Sequence, residues 1–258
     1  MATNTPVRRP RRDKEGRFQV GCGLLLVGGF AALLLCVGLY AFGVFTPLLL
    51  QIMGVERVAD TDEVFADYTP EPTVAIVNAE QQDAAVVDLG SYGTENLNNV
   101  TRSYEIVSGT TDDGSEVAVI RFNEAAIKEL CDERSTICRE GTDRFRNVAF
   151  DLRPGGAVVN VDVNAGILWQ RVGVVMRLDD DVPAFEVVGI DINGTTFNPE
   201  TLPGIMSADT RESVRNAIAD MERIGNEILS SLIVSTGGDS YDLVDVSIDD
   251  QYLMLTMR

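Results

Sequence analysis

Asn147-Val148-Ala149-Phe150-Asp151-Leu152-Arg153-Pro154-Gly155-Gly156-Ala157-Val158-Val159-Asn160-Val161-Asp162-Val163 is the stretch that decides the fold class. Val148, Phe150 and Leu152 alternate with Ala149, Asp151 and Arg153, and Val159, Val161 and Val163 alternate with Asn160 and Asp162. A period of two places one set of side chains on each face of a strand, and Pro-Gly-Gly between the runs supplies a turn. The segment therefore predicts an antiparallel hairpin with one apolar face. Two further strands, near 167–178 and 184–192, extend it into a meander joined by Asp179-Asp180-Asp181-Val182-Pro183. That Asp triplet lacks the alternate spacing and the glycine of a calcium loop, so it reads as a polar turn. Trp169, the single tryptophan, sits in a predicted strand and reads as core.

Upstream, Tyr104 to Val107 and Val117 to Phe122 read as strands. They lead into a helix whose N-cap is Asn123 and whose apolar side is Ala126, Ile127 and Leu130. Gly90 to Asn99, rich in Gly, Asn and Ser, reads as a loop. Cys131 and Cys138 close a short loop after the helix and are expected to form a disulfide.

Downstream, a long helix is expected from about Arg211 to Ile233. At 100° per residue Val214, Ile218, Met221, Ile224, Ile228 and Leu232 share one arc, a candidate core or apolar-ligand face. Gly237-Gly238 ends it. A final hairpin runs through Val244, Val246 and Ile248 to Leu253, Leu255 and Met257. Helix followed by hairpin thus occurs twice, a pseudo-repeat.

The first quarter of the chain differs. From Phe18 to Val55 there is no charged residue, and about 20 apolar residues span a bilayer. Arg8, Arg9, Arg11, Arg12, Lys14 and Arg17 precede this run and acidic residues follow it, so the positive-inside rule orients the start of the chain to the cytoplasm. Ala41-Phe42-Gly43 resembles a cleavage site, but the apolar run continues past it to Met53. The expected organisation is a basic cytoplasmic tail (1–19), a transmembrane helix (20–46), a juxtamembrane linker (47–73) and an extracytoplasmic domain (74–258).

The chain of 258 residues holds 21 basic and 40 acidic side chains. Residues 1–53 contain six of the basic and two of the acidic ones, which leaves 15 against 38 and a formal charge of −23 beyond them. Such a surface repels phosphate backbones and excludes nucleic-acid partners. The sequence has no histidine, which removes the commonest general base, the Ser-His and Cys-His pairs and the commonest zinc ligand. No enzyme activity, cofactor or metal is expected.

The order of residues 116–258 resembles the YpmS-like and LmeA-like membrane-anchored extracytoplasmic domains. The likeness is carried by Val119-Ile120-Arg121-Phe122-Asn123-Glu124-Ala125-Ala126-Ile127, by Ile190-Asp191-Ile192-Asn193-Gly194 through Pro199, by Ile218 to Leu232, and by Leu243 to Met257. It implies an antiparallel sheet wrapped around a long helix, akin to tubular lipid-binding domains, with no catalytic residues. The expected class is therefore α+β. The expected function is a single-pass, extracytoplasmic, non-enzymatic module of the bacterial envelope that binds or handles an apolar or lipid ligand. A structural or protein-interaction scaffold without a pocket is the alternative.

Overall fold

The computed structural model describes residues 46–68, 74–98, 104–164, 169–179, 182–201 and 208–258. Thr46–Arg258 forms one compact unit. Helix α1 (Thr46–Ile52) leads into β1 (Arg57–Asp60) and the single turn α2 (Thr61–Val64). Strands β2 (Val77–Gln81), β3 (Ala84–Asp88), β4 (Thr94–Asn98), β5 (Tyr104–Thr110) and β6 (Glu116–Phe122) follow, then α3 (Glu124–Arg134) and α4 (Thr136–Arg139). The meander is β7 (Phe145–Arg153), β8 (Gly156–Asn164), β9 (Trp169–Leu178), β10 (Phe185–Ile192) and β11 (Thr195–Phe197). After α5 (Ala208–Ser231) come β12 (Ile233–Thr236), β13 (Asp239–Ile248) and β14 (Leu253–Met257).

These strands make two antiparallel sheets, a six-stranded one in the order β1-β11-β10-β9-β8-β7 and an eight-stranded one in the order β2-β5-β6-β14-β13-β12-β3-β4. The core lies on the eight-stranded sheet. Ile106, Val117, Ala118, Ile120, Val234 and Met257 are fully buried there. Leu152 and Leu178 of the six-stranded sheet join the same cluster, with Ala126 of α3 and Leu229 of α5.

The architecture overturns the expected α+β class. The protein is mostly β, and no single sheet is organised around a helix. Helix α5 has 24 residues but lies at a border, against β10, β13 and the turns at 90–92 and 199–201. Several strands sit in segments expected to be linker, loop or helix. β1 falls within 47–73 and pairs with β11, so the domain begins before residue 74. β4 carries one buried apolar residue, Leu97, in a run of polar ones. β12 was hidden because Ile233 continues the helical period of α5. Gly237 and Gly238 are in fact a two-residue hairpin loop between β12 and β13. Both have positive φ (+63° and +103°), the requirement of a type I′ turn.

The helix-plus-hairpin repeat is not structural either. The first hairpin, β7–β8, belongs to the six-stranded sheet, and α5 is followed by three strands of the other. The expectation of a membrane-spanning helix is corrected in the same way: no helix among the described residues is long and apolar enough to cross a membrane. Residues 20–45 of the span expected at 20–46, and the tail before them, lie outside the described residues.

Where local signals were read correctly they have a visible cause. Asn123 has extended backbone, and its side-chain oxygen accepts from the Ala126 N–H at 2.9 Å, capping α3.

Ile120 is 0% exposed at the centre of the eight-stranded sheet, so Ile120→Ala should cost about 2–5 kcal/mol in denaturant unfolding. Val58→Ala, at a side chain 45% exposed, should change stability by less than about 0.5 kcal/mol.

Candidate functional site

The six-stranded sheet presents two chemically different faces, because its strands keep the period-two pattern of the hairpin. On the apolar face a row of cross-strand neighbours runs Phe150, Val159, Val174, Ile190 and Phe197. Its two ends differ. Ile190 and Phe197 are buried, whereas Phe150, Val159 and Val174 are half-buried, as are the paired Val161 and Val172 beside them. Helices α3 and α4 pack on β7 at one side and α5 packs on β10 at the other, which leaves the middle strands incompletely covered.

Helix α5 is held there by polar bonds. The Asn226 carboxamide accepts from the Phe185 N–H at 2.7 Å and donates to the Phe185 carbonyl at 2.9 Å. Arg215 donates to the Glu200 carbonyl at 2.7 Å. Glu227 accepts from the Ser91 and Tyr92 hydroxyls, each at 3.0 Å.

The expected apolar set on this helix is spread over different environments. Ile228 packs against the core and Leu232, one residue past the helix end, is buried in it. Ile218 and Ile224 are half-buried and Met221 is 37% exposed. The side chain of Val214 lies outside what is described.

Cys131 and Cys138 are joined, with Cα atoms 5.7 Å apart, and the bond ties α3 to α4. Lys128 donates to the Cys138 carbonyl at 3.2 Å and pairs with Asp132. Arg134 reaches from α3 to the Thr94 carbonyl at 3.0 Å and to Glu95, fastening the stapled helix to the edge strand β4.

The opposite face of the sheet holds a polar cleft of about 290 Å³. It was missed because its members alternate with the apolar residues and each looks like an ordinary solvated strand position. Arg153 forks onto Asp151 at 3.0 and 2.9 Å and donates to Asp62 at 3.0 Å. The Thr61 hydroxyl bonds Asp191 and lies 2.9 Å from the Thr196 hydroxyl. Burial raises the Asp191 carboxyl above the usual carboxylate range, against the opposing pull of Thr61, the Gly194 N–H and Arg153. Phe65, Val158 and Val175 form a small apolar cluster at one end. Trp169, expected in the core, is half-buried with the Arg146 guanidinium 4.0 Å over its ring, a cation–π pair.

Comparison of the chain with family models, curated proteins and solved structures found no match.

The disulfide closes a short loop, with a sequence separation of 7, so reducing it should lower stability by about 2–3 kcal/mol in chemical unfolding. Asp191 gives a pH signature. Its folded pKa is raised, so the folded state holds the proton to higher pH than the unfolded chain does. Its contribution is present below the ordinary carboxylate value and is lost as pH rises through the raised one. Asp191→Asn should flatten that decline in a series of melts against pH.

Proposed function

We propose that the domain is a non-enzymatic binding module that takes an elongated apolar ligand, such as an acyl chain, on the apolar face of the six-stranded sheet between α3–α4 and α5. The observation that carries this reading is the half-burial of Phe150, Val159, Val161, Val172 and Val174 in the middle of a sheet face whose margins are covered. Apolar side chains at the centre of a sheet face normally pack against another layer, and a face left partly wet gains about 25 cal/mol per Å² when a ligand covers it. The reading rests on this face rather than on the resemblance to the YpmS-like and LmeA-like domains, whose helix-centred fold the chain does not have.

The Cys131–Cys138 bond supports work in an oxidising compartment outside the cytoplasm. A scaffold that meets protein partners through the same face is the second reading. The bidentate hold of Asn226 on Phe185 favours it, because a fixed helix keeps a docking surface in shape.

Native mass spectrometry of the full chain purified from membranes or secretions should show co-purifying lipid, and added lipid should raise the melting temperature. The double change Val161→Ser with Val172→Ser should abolish the lipid-dependent rise. At half-buried positions each change should cost no more than about 1.5 kcal/mol of intrinsic stability. A melting temperature indifferent to lipid in both proteins refutes the ligand reading and leaves the scaffold.

A further inference from the structure

Among the described residues, Leu48, Leu49, Ile52 and Met53 are four of the twelve large apolar side chains that are exposed, and they fall within six consecutive positions. Apolar residues scattered singly over a surface need no explanation, but a contiguous group marks a place of contact. Leu48, Leu49 and Ile52 belong to α1, none of whose residues is buried, and Ile52 is 73% exposed. The Met53 N–H still donates to the Leu49 carbonyl at 3.0 Å, which keeps Met53 in the helical register. At 3.6 residues per turn the four side chains share one arc of about 140°, and Gln51 lies outside it.

The fold grips the chain only beyond this helix. Gly54, with φ +85°, donates to the Gln51 carbonyl at 3.0 Å, and the Val55 N–H donates to the Leu50 carbonyl at 2.9 Å, the paired bonds of a Schellman ending. Val55 is buried. The Glu56 N–H then donates to the Thr201 hydroxyl at 2.8 Å, and the Glu56 carbonyl accepts from the Asn198 N–H at 2.9 Å. Helix α1 is therefore held by its C-terminal end with its apolar arc turned to solvent. The arc carries no charge, and the chain before it has none back to Phe18. Four such side chains expose a few hundred Å², well short of the ~800 Å² that each partner gives a stable protein interface. A second copy would also bring together two chains with a formal charge of −23 beyond residue 53. At seven residues α1 is about 10 Å long, too short to cross a bilayer. A one-sided apolar helix of that kind suits lying flat where headgroups meet acyl chains.

We propose that α1 docks the domain on the surface of a lipid bilayer, lying in the plane of the interface with Leu48, Leu49, Ile52 and Met53 at the acyl boundary and Gln51 toward water. The contact is apolar rather than electrostatic, because the acidic domain beside it repels anionic headgroups, so lipid of zero net charge is the surface it fits. It uses a different element from the apolar sheet face and stands whether or not that face takes a ligand.

The test is depth-dependent fluorescence quenching in the full chain. Trp169 is the single tryptophan, so Trp169→Phe leaves one introduced indole as the reporter. The protein is mixed with phosphatidylcholine vesicles whose acyl chains are brominated near the headgroup. Ile52→Trp should shift its emission to shorter wavelength on vesicles and be quenched at least about threefold more strongly than Gln51→Trp, one position along the same helix. Adding Leu48→Glu and Leu49→Glu, both at exposed positions, should abolish that difference and leave the melting temperature unchanged. Equal quenching at positions 51 and 52 places the helix near the membrane without docking its apolar arc, and overturns the proposal. So does a blue shift of Ile52→Trp that bromine does not quench, which puts the arc against protein, or a full chain that does not associate with the vesicles.

Discussion

The whole domain depends on how the turn between β7 and β8 meets the end of β13. The Gly155 N–H donates to the Ile248 carbonyl at 2.9 Å, and the Gly155 carbonyl accepts from the Leu178 N–H at 2.8 Å. The first bond stitches one sheet to the other, and the second ties the turn to β9 of its own sheet. Beside them Leu152 and Leu178 enter the cluster that holds Ile106, Ile120 and Val246. Gly155 has φ +77° and no room for a side chain, since a Cβ would lie 2.3 Å from the Tyr68 ring. Neither sheet closes its own end at this point. A six-stranded sheet with one half-wet apolar face is not an independent unit, and it is kept in place by lending two leucines to its neighbour's core.

The parts of this fold that were legible in the sequence are those where one local rule acts alone. The hairpin at 147–163, the Asn123 cap and the strands through Ile106 and Ile120 follow from alternation and capping. What escaped is what tertiary pairing decides. β12 has the sequence Ile-Val-Ser-Thr, which continues a helical period on paper and becomes a strand because β3 and β13 flank it on both sides. β4 is a strand because Leu97 is pinned in the core, not because its neighbours favour one. At the candidate sites, the apolar face could be read off the alternation, but its half-burial could not. The polar cleft was illegible because its members come from α2, β7, β8, β9 and β10, and no linear spacing joins them.

The apolar face and the polar cleft grow from the same constraint. A strand with a period of two must have two faces, and the six-stranded sheet leaves neither of them fully covered. One face is a carpet of valines. The other is cut by Gly156 and Gly173, whose missing side chains admit Phe65 and the Val158 side chain. Sheets normally resolve such exposure by adding a layer. Here α2 covers one patch of the polar face and three helices border the apolar one, so each side of the layer keeps uncovered surface.

The position of β14 also governs how the chain can fold. It is the fourteenth strand in order but lies in the interior of the eight-stranded sheet, with β6 on one side and β13 on the other. β3, among the first strands made, finds its partner β12 some 150 residues later. Loops of that size are slow to close, so the contact order of this sheet is high and little of its core can form while the chain is emerging. The strands of residues 77–122 can pair locally as they emerge, β3 with β4 and β5 with β2 and β6, but these two pieces are joined into one sheet only after residues 233–257 have followed.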